Sequence, residues 1–354
     1  MRRGLIAWSH DEVPSSALDA RVAKLQGAMR AADLDALLVY CSFPRSAAVA
    51  WLTHFVAYWN EALLAVFTSG APVLLAAFSK RVHPWIREVS HVGEVRAASE
   101  LGRATSELLE QRLAGLRKTT DRVGVVELDA LPWRIAEPVA RTDHVLVDAT
   151  ALFAAVRQPA DAIEVALAQR AGAIARLAID SIPASVRRAS DVLATVERAA
   201  RLEGAEDVMQ RLAPDLGTDA TLRRFESDAP LGERWALEIT LAYKAATVRV
   251  ARSFSSSGTP ASWSQAMRWF TEAAPRVDVQ SPPTGAPRKV DAWRLDASVG
   301  TAPLETLASD SVTSSTALPC GALAVVSSRL TLADGPWYVA EPVLVGERLL
   351  VECK

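Results

Sequence analysis

The residues of this chain best suited to chemistry lie in a charged stretch of its C-terminal half, residues 230–254. Glu238 carries a carboxylate that could ligate a metal ion or act as a general base. Arg249 follows eleven residues later, and a guanidinium neither loses its proton nor ligates a metal in proteins. Arg249 therefore supplies a fixed positive charge that can pair with a carboxylate.

The histidines restrict the available chemistry further. A pair of divalent cations needs several carboxylate oxygens, and borderline metals also favour an imidazole. All five histidines precede residue 145, so the C-terminal half contains none: His10, His54, His83, His91 and His144. An imidazole ligand or base from the C-terminal half is therefore excluded.

Patterns for nucleophilic catalysis are weak. A Ser-His-Asp arrangement stays open, because His54 or His144 could approach a serine of the other half, but the chain has no G-x-S-x-G motif. Residues 255–258 have the composition of a polar loop after a strand. Cys320 follows a proline in a predicted turn, and we expect no catalysis there.

Bulk composition excludes several classes of partner. The chain has 354 residues, enough for two domains, and its formal net charge of -2 favours neither nucleic acid nor an anionic membrane. Three cysteines without close spacing argue against a disulfide framework. The most apolar run, residues 62–79, contains turn residues at its centre, which predicts a hairpin. We expect a cytoplasmic protein, because the start has no signal-peptide pattern.

Residues 1–155 alternate between helical and strand patterns. Leu18, Val22, Leu25 and Met29 share one helical face, and the apolar strand pattern 36–41 follows. Further strand patterns occur at 122–128 and 144–148, each after a predicted helix. This alternation predicts an α/β layer with a mainly parallel sheet.

Residues 156–354 open with two predicted helices. The first begins near Glu164 and has an apolar face that includes Ile163, Leu167 and Ile174. The second is capped by Ser190 or Asp191 and runs to residue 202. A strand-rich segment follows.

The chain resembles the creatinase, aminopeptidase P and prolidase superfamily, whose catalytic domain has the pita-bread fold. In the N-terminal half the resemblance rests on residues 21–26, 32–39, 50–55 and 123–127. In the C-terminal half, residues 318–328 are similar to the pattern L-x-x-G-M-V-F-x-I-E-P, and residues 337–345 to E-x-x-V-L-V. The resemblance implies an α/β creatinase-like domain at 1–155 and an α+β pita-bread domain at 156–354.

The superfamily's dinuclear metal site uses two Asp, one His and two Glu. The resemblance assigns Glu238 to the first Asp position, Arg249 to the bridging Asp, Ser327 to the first Glu and Glu341 to the second Glu. It therefore implies a degenerate member that has lost most metal ligands, and we expect no metal and no other cofactor.

A sharper hypothesis gives Arg249 the place of the metal. Its guanidinium would lie between Glu238 and Glu341, where it would offset the cost of burying both carboxylates. The candidate residues for the emptied cleft are Tyr243, Trp293 and Arg294.

The resemblance supports two functions. The first is a pseudoenzyme that binds a small molecule, a peptide or a partner; the superfamily includes a histone-chaperone domain without the metal site. The alternative is a metal-independent hydrolase acting on a C–N bond, as creatinase does, with Glu238 or Glu341 as base. A third arrangement is an inactive subunit paired with an active homologue. The superfamily's creatinase-like members imply a homodimer, and we expect no peptidase activity.

Overall fold

The computed structural model describes residues 7–114, 121–142, 144–225, 227–276, 283–307 and 318–350. The chain divides into two compact units. The first comprises Ile6–Arg157 with the short segment Ser298–Pro303, and the second comprises Gln158–Ala297 with Leu304–Lys354. Among the described residues, no helix is both long enough and apolar enough to cross a membrane.

The first unit is built on a mixed sheet in which parallel pairs predominate. Its described strands lie in the order β4-β3-β2-β1-β5-β6, with antiparallel pairs only at β1–β2 and β2–β3. The predicted hairpin at 62–79 is confirmed as β2 and β3. The strands are β1 (Ala36–Cys41), β2 (Ala62–Phe67), β3 (Val73–Ala76), β4 (Glu94–Ala97), β5 (Asp121–Val126) and β6 (His144–Asp148).

Helices cover both faces of this sheet. They are α1 (Ser15–Ala31), α2 (Ala47–Thr53), α3 (His83–Val89), α4 (Leu101–Leu113), α5 (Trp133–Ala140) and α6 (Thr150–Arg157). Side chains alternate along β1, so Leu37 packs in the cluster that contains Met29 and Phe153, whereas Leu38 packs in the cluster that contains Leu109. The near-continuous burial of β1 follows from this covering on two sides.

The second unit contains a larger sheet and three helices among its described residues. The strands follow the order β11-β10-β12-β13-β9-β8-β7, with β14 beside β13. The elements are α7 (Ala162–Asp180), α8 (Ala189–Leu202), β7 (Asp207–Ala213), β8 (Arg234–Tyr243), β9 (Ala246–Ser255), α9 (Ala261–Ala273), β10 (Lys289–Ala297), β11 (Glu305–Thr306), β12 (Leu323–Leu332), β13 (Gly335–Leu344) and β14 (Arg348–Leu349).

The two predicted long helices are present, with one correction at a boundary. At α7, the Asp161 side chain accepts the backbone N–H of Glu164 at 2.8 Å, as an N-cap residue does. The predicted cap of α8 was wrong: α8 begins at Ala189, and Ser190 and Asp191 lie inside its first turn. Asp228 takes the capping role there, because its carboxylate accepts the Ser190 backbone N–H at 3.3 Å.

One face of the second sheet is covered by helices. Leu237 and Ile239 of β8 and Val250 of β9 pack with Ile174 of α7 and Val196 of α8 in a single buried cluster. Residues between these positions on each strand must point to the opposite face, because side chains alternate along a strand. Glu238 and Arg249 are two of those residues.

Two helical glycines provide a test of packing in the first unit. A Cβ at Gly102 of α4 would lie 2.4 Å from the carbonyl oxygen of Arg134, so we expect Gly102→Ala to reduce the free energy of unfolding by about 1–3 kcal/mol. At Gly27 of α1, a Cβ would meet nothing nearer than the Arg30 side chain at 3.9 Å. Gly27→Ala should therefore stabilise the protein by about 0.5–1 kcal/mol. Urea unfolding of both variants checks this, and equal effects at the two sites would contradict it.

Candidate functional site

The face of the second sheet that is turned away from α7 and α8 is called the site face below. Strand register places three of the four predicted site residues on it. Thr240 of β8 lies opposite Arg249, and Ala251 of β9 lies opposite both Glu238 and Ala340. Ser327 of β12 also lies opposite Ala340. Because directly opposed residues share a face, Glu238, Arg249 and Ser327 all project from the site face.

An ion pair across this face shows that the sheet is curved. Arg249 of β9 donates through Nη1 to Oδ2 of Asp296 on β10 at 2.5 Å. Strands β13 and β12 separate these two strands in the sheet, which would place them about 14 Å apart if the sheet were flat. The side chains can meet only because the sheet bends towards them. The site face is therefore concave.

Five charged side chains follow one another on the site face with alternating sign, and we call them the charge row. Arg211 Nη1 lies 3.4 Å from Glu238 Oε1, and the same oxygen lies 3.8 Å from Arg249 Nε. Asp296 connects Arg249 to Arg294: its Oδ2 accepts a hydrogen bond from Arg249, and its Oδ1 accepts one from Arg294 Nε at 2.9 Å. The row comprises Arg211, Glu238, Arg249, Asp296 and Arg294.

Burial increases from the ends of the charge row to its middle. The side chains of Arg249 and Asp296 are 7% and 0% exposed, whereas those of Arg211 and Arg294 are 41% and 42% exposed. The inner pair is also well hydrogen-bonded, because Thr306 donates to Asp296 Oδ1 at 2.6 Å and Arg249 Nε donates to Thr240 Oγ1 at 3.2 Å. Such partners offset the desolvation cost of a buried ion pair.

Glu341 does not belong to this site, which corrects the predicted arrangement around Arg249. Glu341 lies opposite Val326, the residue before Ser327 on β12. Neighbouring residues of a strand point to opposite faces, so Glu341 projects towards the helices and not from the site face. There its fully buried carboxylate accepts a hydrogen bond from Arg176 Nη2 of α7 at 2.7 Å and another from Arg252 Nη2 of β9. The acidic partner of Arg249 is Asp296 instead.

A spacing difference explains why Glu341 was misplaced. The pattern E-x-x-V-L-V has two residues between the acid and the V-L-V run, but only Pro342 separates Glu341 from residues 343–345 here. The residue at the required spacing is Ala340, which does face the site. A shift of one residue on a strand moves a side chain to the other face of the sheet.

Of the three candidate cleft residues, only Arg294 lies on the site face. Trp293 points the other way and contacts Trp269 and Phe270 of α9, with ring centroids 5.8 Å and 5.9 Å apart. Tyr243 packs against the cluster beneath α8 and has the Arg170 guanidinium 6.0 Å from its ring centroid. The prediction was wrong for both aromatic residues, because each follows the helix-facing register of its strand.

Asp296 is the acidic partner of Arg249, and it was not among the candidate site residues predicted from the sequence. Asp296 follows the predicted Arg294 by two positions on β10, so the two side chains share one face of the strand. The sequence signal that could have indicated this role is an arginine and an aspartate two positions apart near the apolar end of a strand. The decisive contact, with Arg249, joins residues 47 positions apart and depends on sheet curvature.

Two titratable groups at the margin of the site face have shifted pKa values. Burial raises the pKa of Tyr338, whose hydroxyl donates to the carbonyl oxygen of Ala220. Burial also acts to raise the pKa of Asp291, but hydrogen bonds from Thr331 and Lys289 outweigh it and hold that pKa below its usual value. Asp291 therefore adds a carboxylate that is ionised at neutral pH.

The residues present do not fit a dinuclear metal centre. Across the described ranges, no three His, Cys, Asp or Glu side chains come together in a way that could hold a metal ion. At the four positions implied by the resemblance stand Glu238, a guanidinium, the hydroxyl of Ser327 and a carboxylate that faces the helices. Glu238 and Asp296 on the site face already contact Arg249.

Comparisons with known proteins identify the fold and the first domain. Residues 21–158 match the family model of the creatinase/prolidase N-terminal domain. No curated protein matches the sequence. The family model supports the predicted resemblance in the N-terminal domain, and the solved structures confirm the predicted fold class.

Solved structures match over almost the whole chain at low identity. A prolidase from Pyrococcus horikoshii has a TM-score of 0.68 at 14% identity, covering 95% of this chain and 99% of its own. An Xaa-Pro dipeptidase from Bacillus anthracis has a TM-score of 0.67 at 12% identity, covering 95% and 98%. The N-terminal domain of FACT complex subunit SPT16 from chickpea has a TM-score of 0.61 at 13% identity, covering 95% and 96%.

A double-mutant cycle tests the central ion pair. Arg249→Met leaves the buried Asp296 short of a partner, and Asp296→Asn leaves the buried guanidinium short of one. We expect each change to reduce the free energy of unfolding by about 3–5 kcal/mol, and the double variant to lose clearly less than the sum. Chemical denaturation of the four proteins measures the coupling.

The exposed pair Arg170–Glu203 is the matched control for this cycle, because its side chains are 48% and 36% exposed. Its coupling should lie within about 0–1 kcal/mol. Additive losses at Arg249 and Asp296 would show that the two residues do not depend on each other.

Proposed function

We propose that this chain, which has a creatinase/prolidase N-terminal domain and the fold of the Xaa-Pro peptidases, is a non-peptidase that binds a small molecule or a peptide on its concave site face. The observation that carries the proposal is the buried ion pair of Arg249 with Asp296. A permanent cation lies where the superfamily resemblance would place a bridging metal ligand.

The electrostatics of the charge row disfavour a divalent cation. Coulomb repulsion between Arg249 and an incoming metal ion would be large, because both charges would be shielded from water. A metal that recruited Glu238 or Asp296 would also strip Arg249 of its counterions, leaving a buried guanidinium without compensation. These two costs support loss of the metal site.

The comparisons leave the activity open, because one fold can host different functions. Peptidases and a domain of a FACT complex subunit are both among the structures that this chain is similar to. The function of this chain must therefore be inferred from the chemistry of its site. A cytoplasmic location and a homodimer remain predictions from the sequence.

Metal content and peptidase activity test the proposal directly. We expect purified protein, incubated with Mn²⁺, Co²⁺ or Zn²⁺ and then desalted, to retain no stoichiometric metal by elemental analysis. We also expect no cleavage of Xaa-Pro dipeptides, with a prolidase such as that of Pyrococcus furiosus as the positive control. Stoichiometric metal together with Xaa-Pro cleavage would contradict the proposal, and metal-free cleavage of a C–N bond would favour the hydrolase alternative.

Binding on the site face needs a separate measurement. A thermal-shift screen of dipeptides, carboxylic acids, guanidino compounds and amines should find compounds that raise the Tm. Arg211→Ala should weaken the response, because Arg211 lies at an exposed end of the charge row. Arg170→Ala changes an arginine of similar exposure on helix α7, away from the site face, and should leave the response intact. Equal responses in both variants would place binding elsewhere.

A further inference from the structure

A cavity of about 650 Å³, within the usual range for small-molecule sites, lies between α9 and strands β9 and β13, and we call it the α9 cavity. Strand register places it on the helix side of the sheet. Arg252 lies opposite Val339 and also opposite Leu237, which packs in the cluster beneath α7 and α8. The lining residues Phe254 and Trp337 are each two positions from Arg252 or Val339, so they share that side. The α9 cavity is therefore separate from the site face.

Helix α9 lines the cavity with two rows of side chains, each with a spacing of four residues. The side chains of the inner row are buried or half-buried: Trp263, Met267 and Thr271. The side chains of the outer row are exposed: Ser264, Arg268 and Glu272. The Thr271 hydroxyl is satisfied within the helix, because it donates to the Met267 carbonyl oxygen at 2.9 Å. The charged side chains of α9 therefore lie at the rim of the cavity, above a less polar base.

The base of the α9 cavity is rich in aromatic side chains. Phe254, Trp263 and Trp337 line it together with Met267. The two tryptophans are buried, and the Phe254 ring stacks on Trp235 with their centroids 3.9 Å apart. Aromatic rings and thioether groups both make favourable contacts with a further aromatic ring. The base therefore matches an aromatic group of a ligand.

The Arg252 guanidinium, which also lines the cavity, is committed to partners within the protein. Its Nη2 donates to the buried carboxylate of Glu341, and its Nη1 donates to the carbonyl oxygen of Ala251 at 2.7 Å. A ligand that drew Arg252 away would leave Glu341 with less compensation for its buried charge. Arg268 and Glu272 at the rim are therefore the charges that a ligand can use.

Arg268 and Glu272 do not pair with each other, although their spacing would allow it. Neither side chain makes an ion pair or a hydrogen bond with any described residue. Arg103 and Glu107 of α4 have the same spacing and order, and they do form an ion pair, at 2.9 Å. Arg268 and Glu272 thus present a guanidinium and a carboxylate, one helical turn apart, to a molecule that enters the cavity.

We propose that the α9 cavity binds an aromatic amino acid. The aromatic ring of the ligand lies against the base, its carboxylate pairs with Arg268, and its ammonium group pairs with Glu272. A zwitterion satisfies both rim charges, whereas a simple anion would be repelled by Glu272 and a simple cation by Arg268. This site lies on the other side of the sheet from the site face, and it does not depend on the function proposed above.

Ligands that share one phenyl ring but differ in charge test the proposal. In calorimetric titrations of the full chain, we expect L-phenylalanine to bind about tenfold more tightly than 3-phenylpropionate or phenethylamine, because each of these lacks one of the two charged groups. L-Alanine lacks the ring and should also bind more weakly. The inference is overturned if L-phenylalanine does not bind, or if any of the other three compounds binds as tightly.

Rim variants assign each charge of the ligand to its partner. Glu272→Gln should weaken the binding of L-phenylalanine about tenfold without weakening that of 3-phenylpropionate, which has no ammonium group. Arg268→Gln should weaken L-phenylalanine to a similar extent without weakening phenethylamine. Both side chains are exposed, so the variants should keep the wild-type Tm. Arg103→Gln, from the paired control on α4, should leave every affinity unchanged.

The variants also separate this cavity from the site face. Binding of L-phenylalanine should not change in Arg211→Ala, since Arg211 belongs to the charge row. If that binding depends on Arg211 and not on Arg268 or Glu272, the α9 cavity is not the site and the inference is wrong, whereas the proposed function stands. If the protein holds stoichiometric metal and cleaves Xaa-Pro dipeptides, the proposed function is wrong, and the inference is still decided by the Arg268 and Glu272 variants.

Discussion

The ion pair between Arg249 and Asp296 is the interaction on which the C-terminal site depends. It joins β9 to β10 across two intervening strands, so it exists only in a curved sheet and in turn links the two sides of the curve. Because Asp296 is fully buried, losing either partner leaves a charge without compensation in a medium of low dielectric. The other members of the charge row extend from this pair towards solvent, and the positions of Glu238 and Arg294 follow from it.

The two faces of the same sheet use charge for different purposes. On the helix side, Arg176 and Arg252 enclose Glu341, which ties α7 to β13 and β9 within the packed layer. On the site side, the row ends in two partly exposed guanidiniums. Side chains alternate between the two faces along a strand, so the neighbours Ala340 and Glu341 project into different environments.

Local patterns made the framework of this chain predictable. The hairpin at 62–79 follows from turn residues between apolar runs, and the placement of Glu238 and Arg249 on one face follows from the antiparallel pairing of β8 and β9. The acid that pairs with Arg249 could not be predicted in the same way. The role of Asp296 arises from a contact over 47 residues, and the orientation of Glu341 turns on a single residue of spacing.

Fold similarity at 12–14% identity does not determine chemistry, so the charge balance of the site must carry the functional argument. A metal ion is an exchangeable cation whose presence depends on supply, whereas Arg249 is a cation fixed by the covalent chain. A site built on it has a constant charge and cannot activate water as a bound metal does. It can still select a ligand by charge. Arg211 and Arg294 are the partly exposed ends of the charge row, so a ligand on the site face meets positive charge first.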